Sequence, residues 1–236
     1  MIFAGILAGG SGTRMNMQNL PKQFLSLAGR PIIIRTLEKF LSIEEFTKIY
    51  IAIKAEWQDY FTSLLAEYAL QTDERIVVLA GGCERAESLD LVLTAIESEY
   101  GRGHSIVTHD AVRPLISEQI LREHLDGLKE HAMLDTVVPA VDTMIISYDG
   151  NFLHHIPERH HLYHSQTPQS FHIDKYREIY RSLSDEERAG LTDACKVFVL
   201  RDEPVYMVIG DAMNIKITTQ ADLAIAEALL RSTAKF

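Results

Sequence analysis

Short apolar runs rich in β-branched residues alternate with longer amphipathic stretches along most of the chain. IFAGILA (2–8) reads as a strand, PIIIRTLEKFL (31–41) as a helix, KIYIAIK (48–54) as a strand and WQDYFTSLLAEYAL (57–70) as a helix. The rhythm continues with strand RIVVLA (75–80), helix RAESLDLVLTAIESEY (85–100), strand HSIVTHD (104–110), helix SEQILREHLDGLKEHA (117–132) and strand DTVVPAV (135–141). Near-continuous apolar runs between amphipathic helices predict a mostly parallel sheet covered on both faces. A ligand then belongs beyond the C-terminal ends of the strands.

The pattern breaks over residues 142–168, where a turn at Asp149-Gly150-Asn151 lies between strand-like runs and predicts a protruding β-hairpin arm. A lone hairpin is marginal in water, so the arm is expected to pack against a second copy of the chain. NIKITTQADLAIAEALLRS (214–232) predicts a closing strand and a Thr-capped helix. No repeat or linker divides the sequence, so residues 1–236 are read as one domain.

Composition narrows the partners. A formal charge of −10 opposes general binding to nucleic acid or anionic membrane, so an anionic ligand must meet a local basic cluster. No apolar run approaches the roughly 20 residues of a membrane span. The opening run has no basic segment before it, and the two cysteines, Cys83 and Cys195, lack paired spacing. A cytoplasmic protein is expected.

The chemistry starts at GILAGGSGTRM (5–15). It misses the dinucleotide fingerprint, with Met15 where a third glycine is required, and misses the Walker loop, with Ser11 where a lysine is required. What remains is a glycine-rich turn whose N–H groups can converge on an anion, followed by Arg14 and, in LPKQF, by Lys22. That set suits a polyphosphate. Two further readings stay open on the residues: a nicotinamide-dependent reductase, and a module that binds a nucleotide without turning it over.

LAGGSGTRM and PKQF, followed in order by GGCERAES (81–88), THDAVRP (108–114), TPQSF (167–171), LTDACK (191–196) and NIKIT (214–218), resemble the cytidylyltransferases that act on methylerythritol phosphate and on ribitol phosphate. The resemblance implies a Rossmann-like α/β domain. It also implies that the segment from Leu7 through Ala8, Gly9, Gly10 and Ser11 to Gly12 wraps the CTP triphosphate, with Arg14, Lys22 and Lys216 as the catalytic cations. Gly82, Arg85, Ser88 and Ala111 would line the nucleotide pocket, and Asp110 would hold Mg2+. Arg113, Asp142, Thr143, Arg159, Thr167, Thr192 and Asp193 would serve the acceptor, some of them across a homodimer interface.

Where many relatives read Gly-Gly-Asp or Gly-Gly-Glu, this chain has Gly81-Gly82-Cys83, so a carboxylate contact near the nucleotide is expected to be absent or replaced. Within the resemblance, RHHLYHSQTPQSF and the Asp-Ala-Cys-Lys of LTDACK look closer to the ribitol-phosphate branch, with Lys196 adding charge near the acceptor. The expected reaction is therefore transfer of CMP to D-ribitol 5-phosphate. Its product, CDP-ribitol, would serve a cell-envelope polymer such as teichoic acid, with a partner reductase supplying the ribitol phosphate. Transfer to 2-C-methyl-D-erythritol 4-phosphate, for isoprenoid synthesis, is the alternative.

Five histidines, His154, His155, His160, His161 and His164, crowd one short stretch. His160 and His164 have the i,i+4 spacing of a metalloprotease pair, but His161 stands where the general-base glutamate would be. Polar residues on an exposed arm are the simpler reading, with one of them available to touch the acceptor.

Overall fold

A computed structural model describes residues 1–9 and 20–233. Of the predicted site, Gly10, Ser11, Gly12 and Arg14 lie outside the described residues. The first half comprises β1 (Ile2–Leu7), the two-residue strands β2 (Ser26–Leu27) and β3 (Arg30–Pro31), α1 (Ile32–Leu41), β4 (Phe46–Ile53), α2 (Gln58–Glu67), β5 (Ile76–Ala80), α3 (Arg85–Tyr100) and β6 (Ser105–Asp110). It continues with α4 (Glu118–Gly127), β7 (Met133–Pro139), β8 (Tyr163–His172), α5 (Ile173–Ser182), α6 (Asp185–Ala189), α7 (Cys195–Val199), β9 (Tyr206–Ile209) and α8 (Gln220–Thr233). No helix among the described residues is long and apolar enough to cross a membrane.

Seven strands form one sheet in the order β5-β4-β1-β6-β8-β7-β9. β5, β4, β1 and β6 are parallel, β8 runs antiparallel to both β6 and β7, and β9 is parallel to β7. This is the expected α/β, Rossmann-like sandwich. One apolar cluster packs α1, α2 and α4 on one face through Ile33, Leu37, Phe40, Phe61 and Leu121; a second packs α3, α5 and α7 on the other through Leu89, Val92, Ile96, Tyr176 and Phe198. β1 is buried against both, which is why its sequence is apolar at successive positions. Chain order reverses beside β1, because β4 and β5 extend to one side of it and β6 returns on the other. The crevice beyond Leu7 and Asp110 is therefore the topological switch point, where open α/β sheets bind their ligands.

Two expectations change. NIKIT is not a ladder strand: Ile217 donates one N–H to the Val112 carbonyl, and the sheet is closed by β9. The helix that follows does begin at a threonine, with Thr219 Oγ1 accepting from the Asp222 N–H. The hairpin arm shrinks to an isolated bridge between Ile146 and His155, with the turn held by Asp149, whose carboxylate accepts the Asn151 and Phe152 N–H groups.

Candidate active site

The strand ends beside the switch point assemble the cleft. Leu7, Ala8 and Gly9 leave β1, Asp110, Ala111 and Val112 leave β6, and Lys22, Gln23, Cys83, Arg85 and Lys216 complete a hollow of about 150 Å³. Asp110 is the one carboxylate on that lining. Its oxygens meet Lys216 Nζ at 2.9 Å and Arg85 Nε at 3.3 Å, with Arg113 Nε at 3.8 Å. Burial alone would raise its pKa; Arg85, Lys216 and Arg113 outweigh it and hold the carboxyl well below the usual carboxylate range. Among the described residues, Arg85 Nη2 and Arg113 Nε are buried and have no hydrogen-bond partner. Buried guanidinium N–H groups without an acceptor are costly, and a phosphate oxygen is the acceptor their geometry favours.

A polar network beneath the cleft fixes Asp110 and Arg113. Burial pushes His109 down to about 4, so the ring is neutral. One ring nitrogen, Nε2, lies 3.0 Å from the Arg113 carbonyl and must carry the proton, which leaves Nδ1 to accept from the Thr167 hydroxyl at 3.0 Å. The Thr167 oxygen in turn accepts the Asp110 N–H at 3.1 Å. Arg113 donates to the Asn214 carbonyl at 2.8 Å, and Asn214 donates to the Thr167 carbonyl at 2.8 Å and to Gln166 Oε1 at 3.1 Å. Gln23 donates to the Ala8 carbonyl at 2.9 Å and sets the exit from β1.

The loop after β5 lies across from Asp110. Ser88 is buried and fully occupied, accepting from the Gly82 N–H at 3.1 Å and donating to the Glu84 carbonyl at 3.0 Å, so it shapes the loop. A Cβ on Gly9 would come within 2.9 Å of the same hydroxyl. The loop is pinned from one helical turn on, where Glu87 accepts the Cys83 N–H at 2.7 Å.

The acceptor residues divide. Arg113 and Thr167 lie under the cleft. Thr192 and Asp193 border a separate hollow on the other side of Arg85, and Asp193 accepts the Lys196 N–H at the start of α7. Asp142, Thr143 and Arg159 are exposed on the arm, where Arg159 donates to the Val141 carbonyl at 3.0 Å. His109, Gln23, Gln166 and Asn214 escaped the sequence reading; His109 and Asn214 sat inside recognised motifs, yet nothing local marked them as structural partners of the site.

The family model described as 2-C-methyl-D-erythritol 4-phosphate cytidylyltransferase (IspD) matches residues 2–232. Among solved structures, 4-diphosphocytidyl-2C-methyl-D-erythritol synthase from Anaerococcus prevotii is 29% identical, with a TM-score of 0.81 over 98% of this chain and 96% of that one. The 2-C-methyl-D-erythritol 4-phosphate cytidylyltransferase of Francisella tularensis is 26% identical, with a TM-score of 0.79 over 96% and 98%. The enzyme of that name from Thermus thermophilus is 25% identical, with a TM-score of 0.74 over 98% and 100%. The chain belongs to the IspD family of cytidylyltransferases and is an enzyme, a nucleotidyltransferase.

This corrects the leaning toward ribitol phosphate, and with it CDP-ribitol, the teichoic-acid role and the partner reductase. Two of the residues behind that leaning, Cys195 and Lys196, do not face the cleft. Cys195 is buried in the second core cluster, and Lys196 turns its ammonium to the Gly190 carbonyl at 2.5 Å. The same family match displaces the reductase and binding-only readings.

Proposed function

We propose that this enzyme transfers CMP from CTP to 2-C-methyl-D-erythritol 4-phosphate and releases pyrophosphate. The observation that carries the reading is the Asp110, Arg85, Arg113 and Lys216 cluster at the switch point, with two buried guanidinium N–H groups that have no hydrogen-bond partner among the described residues. The acceptor is a phosphate monoester, largely dianionic near neutral pH because its second pKa is about 6, so it attacks without a general base. One oxygen of that phosphate bonds to the α-phosphorus as the bond to the departing pyrophosphate breaks, and the electron pair leaves with pyrophosphate.

The barrier lies in bringing two polyanions together in line. Lys22 and Lys216 supply positive charge to the phosphates, joined by Arg14, while Arg85 and Arg113 donate N–H groups to the same oxygens. The backbone from Leu7 to Gly12 wraps the triphosphate, and Gly82, Ser88 and Ala111 shape the base and ribose pocket. Thr167 acts through Asp110, whose backbone it holds.

Enzymes of this family use Mg2+. One carboxylate facing a polyphosphate fits that ion, which binds protein through one or two carboxylates and takes its remaining oxygens from phosphates and water, so Asp110 would hold it. When bound, Mg2+ supplies charge neutralisation on the triphosphate.

Asp142, Thr143 and Arg159 in this reading reach the acceptor in a neighbouring protomer's cleft, with Thr192 and Asp193 closing the site from the C-terminal part, and the enzyme works as a homodimer. The arm supports that: Val141, Tyr148 and Phe152 are 80%, 81% and 72% exposed, an apolar surface that calls for a cover. Both cysteines are free thiols, which suits a reducing cytoplasm.

The test is Mg2+-dependent pyrophosphate release from CTP with 2-C-methyl-D-erythritol 4-phosphate and D-ribitol 5-phosphate in parallel. Turnover with the first at least about a hundredfold above the second is expected, the discrimination a site gains by pairing substrate hydroxyls. Equal or reversed preference would overturn the acceptor assignment.

A further inference from the structure

We propose that Glu158, His160 and His161 form a binding site for a divalent transition ion of the zinc class, on the turn where the arm rejoins the body. The site arises from the backbone. Residues 159–161 make one turn of 3-10 helix, closed by the His161 N–H donating to the Glu158 carbonyl at 3.1 Å. Side chains three apart eclipse in that geometry, which puts Glu158 and His161 on the same side. His160 leans into them, with Nε2 at 3.3 Å from Glu158 Oε2 and its ring centroid 3.9 Å from that of His161. One donor atom from each of the three lies within 4.8 Å of the other two.

Those spacings suit an ion. Two ligands at roughly 2.0–2.2 Å from a tetrahedral metal stand roughly 3.4 Å apart, and the Glu158–His160 pair is already at that distance. All three side chains are exposed, so the rest of the closure needs rotation of side chains and no repacking. Two imidazoles and a carboxylate favour Zn2+ or its neighbours in the first transition row, whereas Mg2+ prefers an all-oxygen shell. The site is thus separate in place and in chemistry from Asp110.

Other histidines of the chain contrast with this pair. His104, His109, His124 and His172 each spend ring nitrogens on hydrogen bonds to backbone or buried hydroxyls. His154 sits against Asp149 and the Tyr148 ring. In His160 and His161, two rings and a carboxylate converge where solvent would let them separate. An ion there would clamp the turn around Arg159, whose guanidinium holds the Val141 carbonyl and so links the two legs of the arm at its base.

The test uses the full untagged chain, stripped of metal, with neither nucleotide nor Mg2+, so its outcome is independent of the acceptor assignment. Calorimetric titration with ZnCl2 should show one site per chain. His160→Ala and His161→Ala should each weaken it by roughly 10- to 100-fold or more, since even loss of an outer partner to a metal ligand costs that much. The His154→Ala/His155→Ala pair should bind as the parent does. No Zn2+ binding, binding unchanged in both single variants, or equal loss in the His154/His155 pair would overturn the proposal.

Discussion

Between β6 and β8 polar side chains are buried and paired, whereas along the arm large apolar side chains stand in solvent. His109, His124, Thr136, Thr167, Gln169, Ser170 and Asn214 are all at most 5% exposed, and each has a hydrogen-bond partner. Tyr148 and Phe152 are more than 70% exposed, on a segment held by a single bridge. Buried polar groups that are paired fix one geometry, because each broken bond leaves an unsatisfied group in low dielectric. Exposed aromatics on a weakly laddered arm fix nothing until something covers them. On the proposed reading, the nucleotide side of the site is built within one chain, and the acceptor side would be completed by a second copy.

The largest expected effect falls on the built side. Lys216→Ala removes a cation 2.9 Å from Asp110 and should lower kcat/KM by roughly 100- to 1000-fold in the pyrophosphate assay. The oligomeric state should not change. A loss below tenfold would mean that the cluster serves folding and that the phosphates sit elsewhere.

Next comes the network, read through pH. Burial pushes His124 down to about 3, and it bonds Ser170 at 2.7 Å and Thr136 at 2.8 Å as a neutral ring. Its pKa in the unfolded chain is about 6.5, so above that pH neither state is protonated and stability is unaffected. As pH falls below 6.5 the unfolded chain binds a proton that the native state refuses. Stability then drops progressively toward pH 3, by about 2–3 kcal/mol at pH 4.5. His124→Gln should cost about 1–3 kcal/mol at pH 7 through its lost bonds, yet show a shallower decline in acid. Urea unfolding at pH 7 and pH 4.5 checks both, and parallel curves for parent and variant would sink the account.

A smaller effect is expected on the arm. Tyr148→Ser with Phe152→Ser should weaken self-association by more than about tenfold in sedimentation velocity, since buried interface aromatics often contribute about 2 kcal/mol each. The melting temperature of the body should barely move. Unchanged association would erase the contrast between the two regions, leaving the arm's aromatics as simple surface.

How much of this was legible in the sequence follows from the same contrast. β1, β4, β5 and β6 could be read because parallel strands buried on both faces are apolar at nearly every position. β8 could not, because its buried stretch runs Gln166, Thr167, Pro168, Gln169 and Ser170 before the first large apolar residue, Phe171, so most of a core strand is polar. β9 is short and exposed at the sheet edge, so apolar burial left little trace there. Asp110, Arg85 and Lys216 stood in the recognised motifs THDAVRP, GGCERAES and NIKIT and could be named. Asn214 could not, since its partner Arg113 is 101 residues away and only the fold brings them together. LTDACK misled because its Cys195 and Lys196 face the core and the Gly190 carbonyl, which sequence spacing does not reveal.

Cys83 gives the smallest expected effect and the finest test of how far the cleft is built by backbone. It stands where the motif resemblance leads one to expect a carboxylate, and its side chain is exposed. The loop is nevertheless pinned to a carboxylate, since Glu87 takes the Cys83 N–H at 2.7 Å, a bond that any residue at position 83 except proline can make. Glu87 also fills the space beside Gly82, where a Cβ would come within 2.3 Å of it. Cys83→Ser should therefore change KM for CTP by less than about twofold, well under 1 kcal/mol. Glu87→Ala should raise it several-fold by freeing an N–H bond to a charged acceptor, the stronger class of hydrogen bond. If instead the cysteine mattered more than the glutamate, the thiol itself would be a nucleotide contact, and the loop would owe its shape to a side chain that the backbone account ignores.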